Sequence, residues 1–204
     1  MDPAGLRERK KQRTRGQIAA AAAQLFAARG YEQVTVSDVA RAADVSEQTV
    51  YNYFPTKQDL VLDQDEALRD RLVQLVRDRP PGVSPAAAIR AAALEFVDGV
   101  ASLPADQVRG GLGYLAEVSP MIRRLSLEMT DRHAAAIAAA ITVSGTDPPL
   151  ARVRATALAG VFQTITDETG RRCRAGQPPA AIAAELRPLV AAIIDDLDRW
   201  LSQA

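Results

Sequence analysis

The sequence predicts an all-α protein in which a three-helix N-terminal unit is followed by a larger helical domain. No stretch of the 204 residues alternates strictly between apolar and polar side chains, so no half-buried strand is indicated. Apolar residues recur instead every three to four positions, and residues typical of helix ends interrupt them. We predict that the two domains comprise residues 1–58 and 59–204.

The first helix is predicted from apolar side chains that recur at helical spacing over residues 18–26. Thr14 and Gln17 have the spacing of a capping box, which predicts a helix start at this point. Gly30 is the residue type that most often ends a helix. We therefore expect one helix between Thr14 and Gly30.

The residues before this helix carry a concentrated positive charge. The first fifteen residues contain six basic side chains and only Asp2 and Glu8 as acids, although the whole chain has 25 basic and 25 acidic residues. We expect a flexible basic arm that binds the phosphates of a nucleic acid. The basic residues are Arg7, Arg9, Lys10, Lys11, Arg13 and Arg15.

Two further helices are predicted, and a tight turn joins them. Thr35 and Asp38 match a capping box, which predicts a short helix over Ser37–Ala43. Asp44-Val45 is the predicted turn, and Ser46 can cap the helix that follows. Three helices in about fifty residues, the last two joined by a short turn, are typical of a helix-turn-helix.

The third helix has one face for a core and another for a partner. Val50 and Phe54 are four residues apart and share the stripe that can face the core. The other side chains and the helix starts suit phosphates and base edges in the major groove of DNA. The residues predicted to hold phosphates are Thr35, Ser46, Thr49, Tyr51, Tyr53 and Lys57. The residues predicted to face base edges are Ser37, Glu47, Gln48 and Asn52.

The segment from Thr14 to Lys57 resembles the DNA-binding domain of the TetR family of bacterial transcriptional regulators. Asp44 departs from the family, which usually has glycine in the turn, but aspartate tolerates a left-handed backbone at modest cost. The matching residues are Ile18, Ala21, Ala22, Leu25, Phe26, Gly30, Tyr31, Thr35, Val36, Val39, Ala40, Ala43, Val45, Ser46, Thr49, Tyr51, Tyr53, Phe54, Lys57 and Leu60.

This resemblance implies a homodimeric repressor that places residues 46–54 of each subunit in the major groove of a palindromic double-stranded operator. It also implies that a small molecule in the second domain changes the separation of the two DNA-binding units and releases the operator. The alternative is a helical scaffold that binds a protein partner and uses its N-terminal unit only structurally. Such a scaffold has no need for Tyr51, Tyr53 and Lys57.

The chain after residue 60 is alanine-rich, and its pattern predicts five or six further helices separated by proline and glycine. Ser84-Pro85 and Ser119-Pro120 place a capping residue before proline, which marks two helix starts. Pro188 is expected to break or kink the last segment.

The resemblance places the dimer interface in the last two long helices, which in the family pair with those of a second subunit. Small side chains in residues 151–166 suit close contact between helices. The alternative is that both helices pack only within their own chain. The apolar positions concerned in the last helix are Leu189, Ile193, Ile194, Leu197 and Leu201.

The central helices are expected to enclose a cavity for a small apolar effector, because residues 86–97 and 134–143 contain few charged side chains. The alternative is a solid alanine-rich core without a cavity. In the resembling family the pocket is formed by the central helices, and the candidates here are Phe96, Tyr114, Met121, Met129, His133 and Phe162.

Catalysis, metal binding and a cofactor are not expected. His133 is the only histidine and Cys173 the only cysteine, so neither a catalytic relay nor a usual zinc set is available. The arginines around Cys173 favour a low thiol pKa, which is the requirement for a redox sensor. We favour the alternative, an ordinary thiol near a helix end whose arginines offset the helix dipole.

A cytoplasmic protein is expected. No apolar run approaches the length that spans a bilayer. The basic start and the alanines after it superficially mimic a secretory signal, but Gln24 interrupts them and they continue into the helix-turn-helix. A single cysteine fits a reducing compartment.

Overall fold

The computed structural model describes the backbone of residues 3–202 and the side chains of residues 9–202. This part of the chain forms ten α-helices and no strand, which confirms the all-α prediction. One 3₁₀ turn, Gln58–Leu60, lies between the third and fourth helices. The helices are α1 (Pro3–Arg29), α2 (Val36–Ala42), α3 (Glu47–Tyr53), α4 (Asp65–Arg77), α5 (Pro85–Ala101), α6 (Ala105–Arg109), α7 (Leu112–Val118), α8 (Pro120–Val143), α9 (Pro148–Arg174) and α10 (Pro179–Ser202).

Helix α1 begins eleven residues earlier than the sequence predicts. The Thr14 hydroxyl donates to the Lys10 carbonyl at 3.0 Å, so Thr14 lies within the helix and the predicted capping box is wrong. The predicted flexibility of the basic arm is also wrong, because the backbone of the arm is helical from Pro3 onward. Residues 6–12 are mostly strong helix formers, and they extend the helix. The side chains of Arg7 and Glu8, and all of Asp2, lie outside the described residues.

The local signals for α2 and α3 are confirmed. The Thr35 hydroxyl accepts the amide of Asp38 at 3.1 Å, and the Asp38 carboxylate accepts the amide of Thr35 at 3.0 Å. Asp44 has φ of 53°, which is the left-handed turn conformation expected of it. The Ser46 hydroxyl accepts the amide of Thr49 at 3.0 Å and caps α3.

The first three helices share their apolar core with the domain that follows. Side chains from α1, α2 and α3 form one buried cluster, and α7 and α8 contribute to the same cluster. One buried cluster therefore contains residues of both predicted domains, and the boundary at residue 58 stays a prediction. The residues from α7 and α8 are Leu115, Ala116, Ile122 and Leu125.

A second buried cluster occupies the rest of the molecule and consists of side chains from α4, α5, α8, α9 and α10. Ser84 and Ser119 cap α5 and α8 by accepting the amides of Ala87 and Ile122, as predicted. Between residue 60 and residue 202, where the described part of the chain ends, there are seven helices and not five or six, because α6 and α7 are short and separated only by two glycines.

Helix α10 continues through Pro188, so of the break or kink predicted there the break is wrong, and the kink stays a prediction. The side chains of Leu186 and Val190 are both buried in the second cluster. This packing holds the helix on both sides of the proline and compensates for the hydrogen bond that proline cannot donate.

Three glycines bring backbones into direct contact around α6 and α7. A Cβ atom on Gly110 would lie 1.8 Å from the carbonyl oxygen of Ala23 in α1. One on Gly113 would lie 2.3 Å from the carbonyl oxygen of Thr166 in α9, and one on Gly170 would lie 2.1 Å from that of Gly113. No side chain fits at these crossings, so the segment 110–113 touches α1 and α9 through its backbone.

The substitution Gly113→Ala is expected to destabilise the protein by about 1 to 3 kcal/mol, because two backbones must separate to admit the methyl group. Gly99→Ala is the matched control, since that glycine is exposed on α5 and its Cβ would meet no atom within 4 Å. The control should gain up to about 1 kcal/mol from helix propensity. Urea unfolding followed by circular dichroism measures both, and equal midpoints for Gly113→Ala and the native protein would contradict the close packing.

Candidate nucleic-acid interface and cavity

Helix α3 presents one polar face to solvent. Val50 and Phe54 are buried, as predicted, whereas Tyr51 is 45% exposed. Gln48 donates from Nε2 to Oδ1 of Asn52 at 3.1 Å, and both side chains are exposed. Side-chain amides can form paired hydrogen bonds with a base edge, so this face is chemically suited to direct reading. Glu47 is exposed beside them.

Hydroxyl groups predicted to hold phosphates already take part in helix capping. The Thr35 hydroxyl donates to the Asp38 carboxylate at 2.6 Å, and the hydroxyls of Ser46 and Thr49 are 2.8 Å apart. A phosphate at these helix starts must share or replace such hydrogen bonds. Ser37 is half-buried in the first turn of α2, and its contact with a base stays a prediction.

Lys57 lies against an aromatic ring that the site prediction did not include. Its Nζ atom is 4.1 Å from the centroid of the Tyr31 ring, a cation–π contact. Burial lowers the pKa of Lys57, and the nearby Glu32 carboxylate opposes this shift. A phosphate bound by Lys57 must therefore share the ammonium with this ring or draw it away, and the phosphate contact stays a prediction. Tyr53 is half-buried beside the same surface.

Arg15 was assigned to the basic arm, but the structure places it in the joint between α1, α3 and the start of α4. Its Nε atom donates to Oδ1 of Asp63 at 2.6 Å, and its Nη1 atom donates to the carbonyl of Tyr53 at 3.1 Å. The guanidinium carbon lies 4.6 Å from the centroid of the Phe54 ring. The sequence pattern gave no sign of this arrangement, since Asp63 is 48 residues from Arg15.

A cavity of about 280 Å³ lies in the second domain. The rings of Phe96 and Phe162 meet edge-on in its wall, with centroids 5.8 Å apart. Four of the six predicted residues line it, namely Phe96, Tyr114, Met129 and Phe162. Residues 61–65 and 111–113 also line the cavity, and the sequence did not indicate them, because they lie just before α4 and α7 or at the first positions of these helices, where no helical periodicity is visible.

Met121 and His133 do not line this cavity. Met121 is 44% exposed on the outer surface of α8. His133 is buried, and its Nε2 atom lies 2.6 Å from Oδ1 of Asp65, which itself lines the cavity. The position of each residue on α8 thus directs Met121 to solvent and His133 to the joint with α4.

Both carboxylates in the cavity wall have a basic partner. Asp63 is paired with Arg15, and Asp65 accepts hydrogen bonds from His133 and from Arg132, the latter at 3.0 Å. Burial raises the pKa of Asp65, but the hydrogen bonds from His133 and Arg132 outweigh burial and leave the pKa below its usual value. These carboxylates are thus neutralised, which suits an uncharged ligand.

The structure removes the premise of a redox-sensing cysteine. Burial raises the pKa of the Cys173 thiol, and Arg109 opposes the shift only in part. Two of the flanking arginines, Arg171 and Arg172, are paired with Glu168 at 3.0 and 3.1 Å from their Nε atoms. The expected lowering of the thiol pKa is therefore wrong.

The apolar side chains of α10 that were predicted to form the dimer interface differ in their exposure. Ile194 and Leu201 are buried within their own chain, whereas Ile193 and Leu197 are half-buried. Leu189 is exposed. Among the described residues of α9 and α10, four large apolar side chains are exposed and available to a partner, and they are Leu150, Val153, Leu189 and Trp200.

The part of the chain that the structure describes contains neither a metal-binding cluster nor a membrane-spanning helix. No group of three or more His, Cys, Asp or Glu residues there is arranged to hold a metal ion. Within residues 3–202, none of the helices has the length and apolar character needed to cross a membrane.

Comparison with known proteins identifies relatives of this chain. The model of the family described as bacterial regulatory proteins, tetR family, matches residues 18–63. The HTH-type transcriptional regulator TcmR of Streptomyces glaucescens is 35% identical over 147 residues, which are 66% of this chain and 63% of TcmR. The HTH-type transcriptional regulator AlkX of Mycobacterium tuberculosis is 46% identical over 52 residues, or 26% of this chain and 25% of AlkX.

Solved structures share the fold. A TetR-family regulator from Streptomyces coelicolor superposes with a TM-score of 0.51 at 23% identity, over 90% of this chain and 96% of that one. The regulator FadR from Bacillus subtilis, in complex with stearoyl-CoA, superposes with a TM-score of 0.52 at 17% identity, over 86% of this chain and 96% of FadR. The helix-turn-helix, the similarity to TcmR and the fold agree, and the chain belongs to the tetR family of bacterial regulatory proteins.

Proposed function

We propose that the protein is a homodimeric repressor that binds a palindromic operator and leaves it when a small apolar molecule fills the cavity. The observation that carries the proposal is the outer face of α3, where Gln48 and Asn52 hold their amides side by side in solvent. Such a face has no role in the core, and it offers the donors and acceptors that base edges recognise. We expect the protein to act in the cytoplasm.

The roles of the ten predicted DNA-contacting residues form part of this proposal. Tyr51, Asn52 and Gln48 are exposed together on α3, and Lys57 lies on the rim of the same unit. Contacts with phosphates position a protein on the duplex without reading its sequence, whereas contacts with base edges specify it. The two groups of residues should therefore respond differently to substitution.

The operator is first obtained by sequencing genomic DNA fragments that the purified protein retains, and the enriched sequences should be palindromic. Half-site variants of that operator then test the residues. Gln48→Ala or Asn52→Ala should lose about 1 to 3 kcal/mol of discrimination at particular base pairs. Lys57→Ala should weaken binding to all sequences alike and reduce the salt dependence by about one unit per site. Equal loss of discrimination in Lys57→Ala and Gln48→Ala would refute the division into phosphate-binding and base-reading residues.

Homodimer formation is supported by an unexplained glycine in α9. Gly160 lies in the middle of a 27-residue helix, where glycine costs about 1 kcal/mol relative to alanine. A Cβ atom there would meet nothing within 4 Å in its own chain. The close approach of another helix is a physical reason for such a glycine, and exposed Val153 lies seven residues away on the same face.

Gly160→Leu is expected to convert the dimer into folded monomers and to weaken operator binding strongly, because two half-sites are then no longer bound together. The exposed helical Gly99, whose Cβ position is equally open, provides the control Gly99→Leu, which should remain dimeric. Analytical ultracentrifugation measures the assembly. A Gly160→Leu protein that still forms the native dimer would place the interface elsewhere.

An effector in the cavity is supported by the composition of its wall. The side chains of Phe96, Met129 and Phe162 provide an apolar surface, and both carboxylates of the wall are paired with basic groups. A ligand releases DNA only if it binds the DNA-incompetent state more tightly, since equal affinity for both states shifts no population.

Apolar uncharged molecules are therefore screened for a rise in melting temperature, and each hit is titrated into the operator complex. Leu103 lies in the cavity wall and is 43% exposed, so Leu103→Trp should block entry and abolish both effects. Leu127→Trp is the control, because Leu127 is equally exposed on α8 but outside the cavity wall. Hits that stabilise the protein and leave operator affinity unchanged would show that the cavity binds molecules without switching.

A further inference from the structure

We propose that Arg15 and Asp63 are positioning residues for operator recognition, which hold α3 at the angle that its reading face requires. The inference rests on the proposed function and concerns two residues outside the predicted reading face. Neither side chain has to touch DNA for this role.

The guanidinium joins the end of α3 to its neighbours. The Nη1 atom donates to the carbonyl of Tyr53, the last residue of α3, at 3.1 Å. The carboxyl end of a helix carries partial negative charge and free carbonyls, so a cation there is favourable. The guanidinium carbon lies 4.6 Å from the ring centroid of Phe54, which caps the same helix.

The other side of the guanidinium is held by Asp63. Its Nε atom donates to Oδ1 of Asp63 at 2.6 Å, and its Nη2 atom donates to the backbone carbonyl of Asp63 at 3.2 Å. Asp63 is only 17% exposed, and Gln64 donates to its second oxygen at 3.1 Å. The carboxylate therefore fixes the rotamer from which Arg15 reaches α3.

Each end of α3 is held by a small number of contacts. Its amino end is fixed by the Ser46 cap and the tight turn. Its carboxyl end is fixed by the burial of Phe54 and by Arg15. Because α3 has only seven residues, a small movement at one end changes the angle of its whole reading face.

A substitution of the Asp63 carboxylate separates two explanations, because a purely electrostatic effect would raise the affinity for DNA and a loss of positioning would lower it. Removal of an acidic charge from a DNA-binding unit ordinarily strengthens binding, because repulsion of the phosphates falls. Asp63→Asn removes the negative charge that holds Arg15 and leaves only uncharged acceptors at residue 63. It should instead weaken binding to the operator about tenfold, the loss of one charge-assisted interaction. Binding to unrelated DNA should stay unchanged or become tighter.

Asp44→Asn is the matched control. Asp44 is exposed in the turn of the same unit, and asparagine also tolerates its positive φ. It removes the same charge without touching Arg15, so operator and unrelated DNA should be bound as tightly as by the native protein or more tightly. Circular dichroism on each variant checks that the helices are retained.

Arg15 variants separate positioning from direct phosphate contact. Arg15→Gln should weaken operator binding with an unchanged salt dependence, whereas a phosphate contact would lower the slope by about one unit. Arg15→Lys keeps the charge but cannot reach Asp63 and the Tyr53 carbonyl with the same planar geometry, so it should restore binding only in part. Full restoration by lysine would indicate a simple charge effect and overturn the proposal.

The remaining outcomes are decisive as well. If Asp63→Asn binds the operator as tightly as the native protein, or loses operator and unrelated DNA to the same extent, the positioning role is refuted. If the native protein itself selects no specific DNA, the proposed function fails before this inference is tested. The two failures are therefore distinguishable in one set of binding curves.

Discussion

The contact on which the arrangement of this molecule depends is the backbone approach around residues 110–113. Gly110 meets α1 and Gly113 meets α9 with no side chain between them, so the segment cannot shift relative to either helix without separating backbones. The hydrogen bond from Ser119 to Glu32, at 2.5 Å, adds a polar link between the DNA-binding unit and the start of α8. It also lowers the pKa of Glu32. The DNA-binding unit is thereby fixed to the second domain.

The start of α4 is the second joint, and electrostatics hold it. Asp63 is paired with Arg15 on α1, and two residues later Asp65 is paired with Arg132 and His133 on α8. Both carboxylates also lie in the cavity wall. A molecule that enters the cavity thus meets the same two groups that connect α4 to α1 and α8. A chain of contacts therefore runs from the cavity wall at Asp63, through Arg15, to the carbonyl of Tyr53 at the end of α3.

Local chemistry explains which features the sequence could predict. The capping box of Thr35 and Asp38, the left-handed turn at Asp44 and the caps at Ser46, Ser84 and Ser119 each depend on residues within a few positions, and all are present. The burial of Val50 and Phe54 followed from helical spacing alone. Their partners in the core could not be named, because α7 and α8 reach them from more than fifty residues away.

Most of the errors share one physical cause, which is that tertiary contacts override local signals, whereas at Thr14 one local signal overrode another. A capping pattern at Thr14 lost to the helix-forming residues before it, and Pro188 stays helical because its neighbours are buried on both sides. Arg15 looked like one more basic residue of an arm, yet its partner is 48 positions away. The same reasoning applies to Cys173, whose pKa follows its burial and not the arginines beside it in sequence. For a titratable or charged residue the sequence shows which chemical group is present, and the fold determines its partners, its burial and therefore its role.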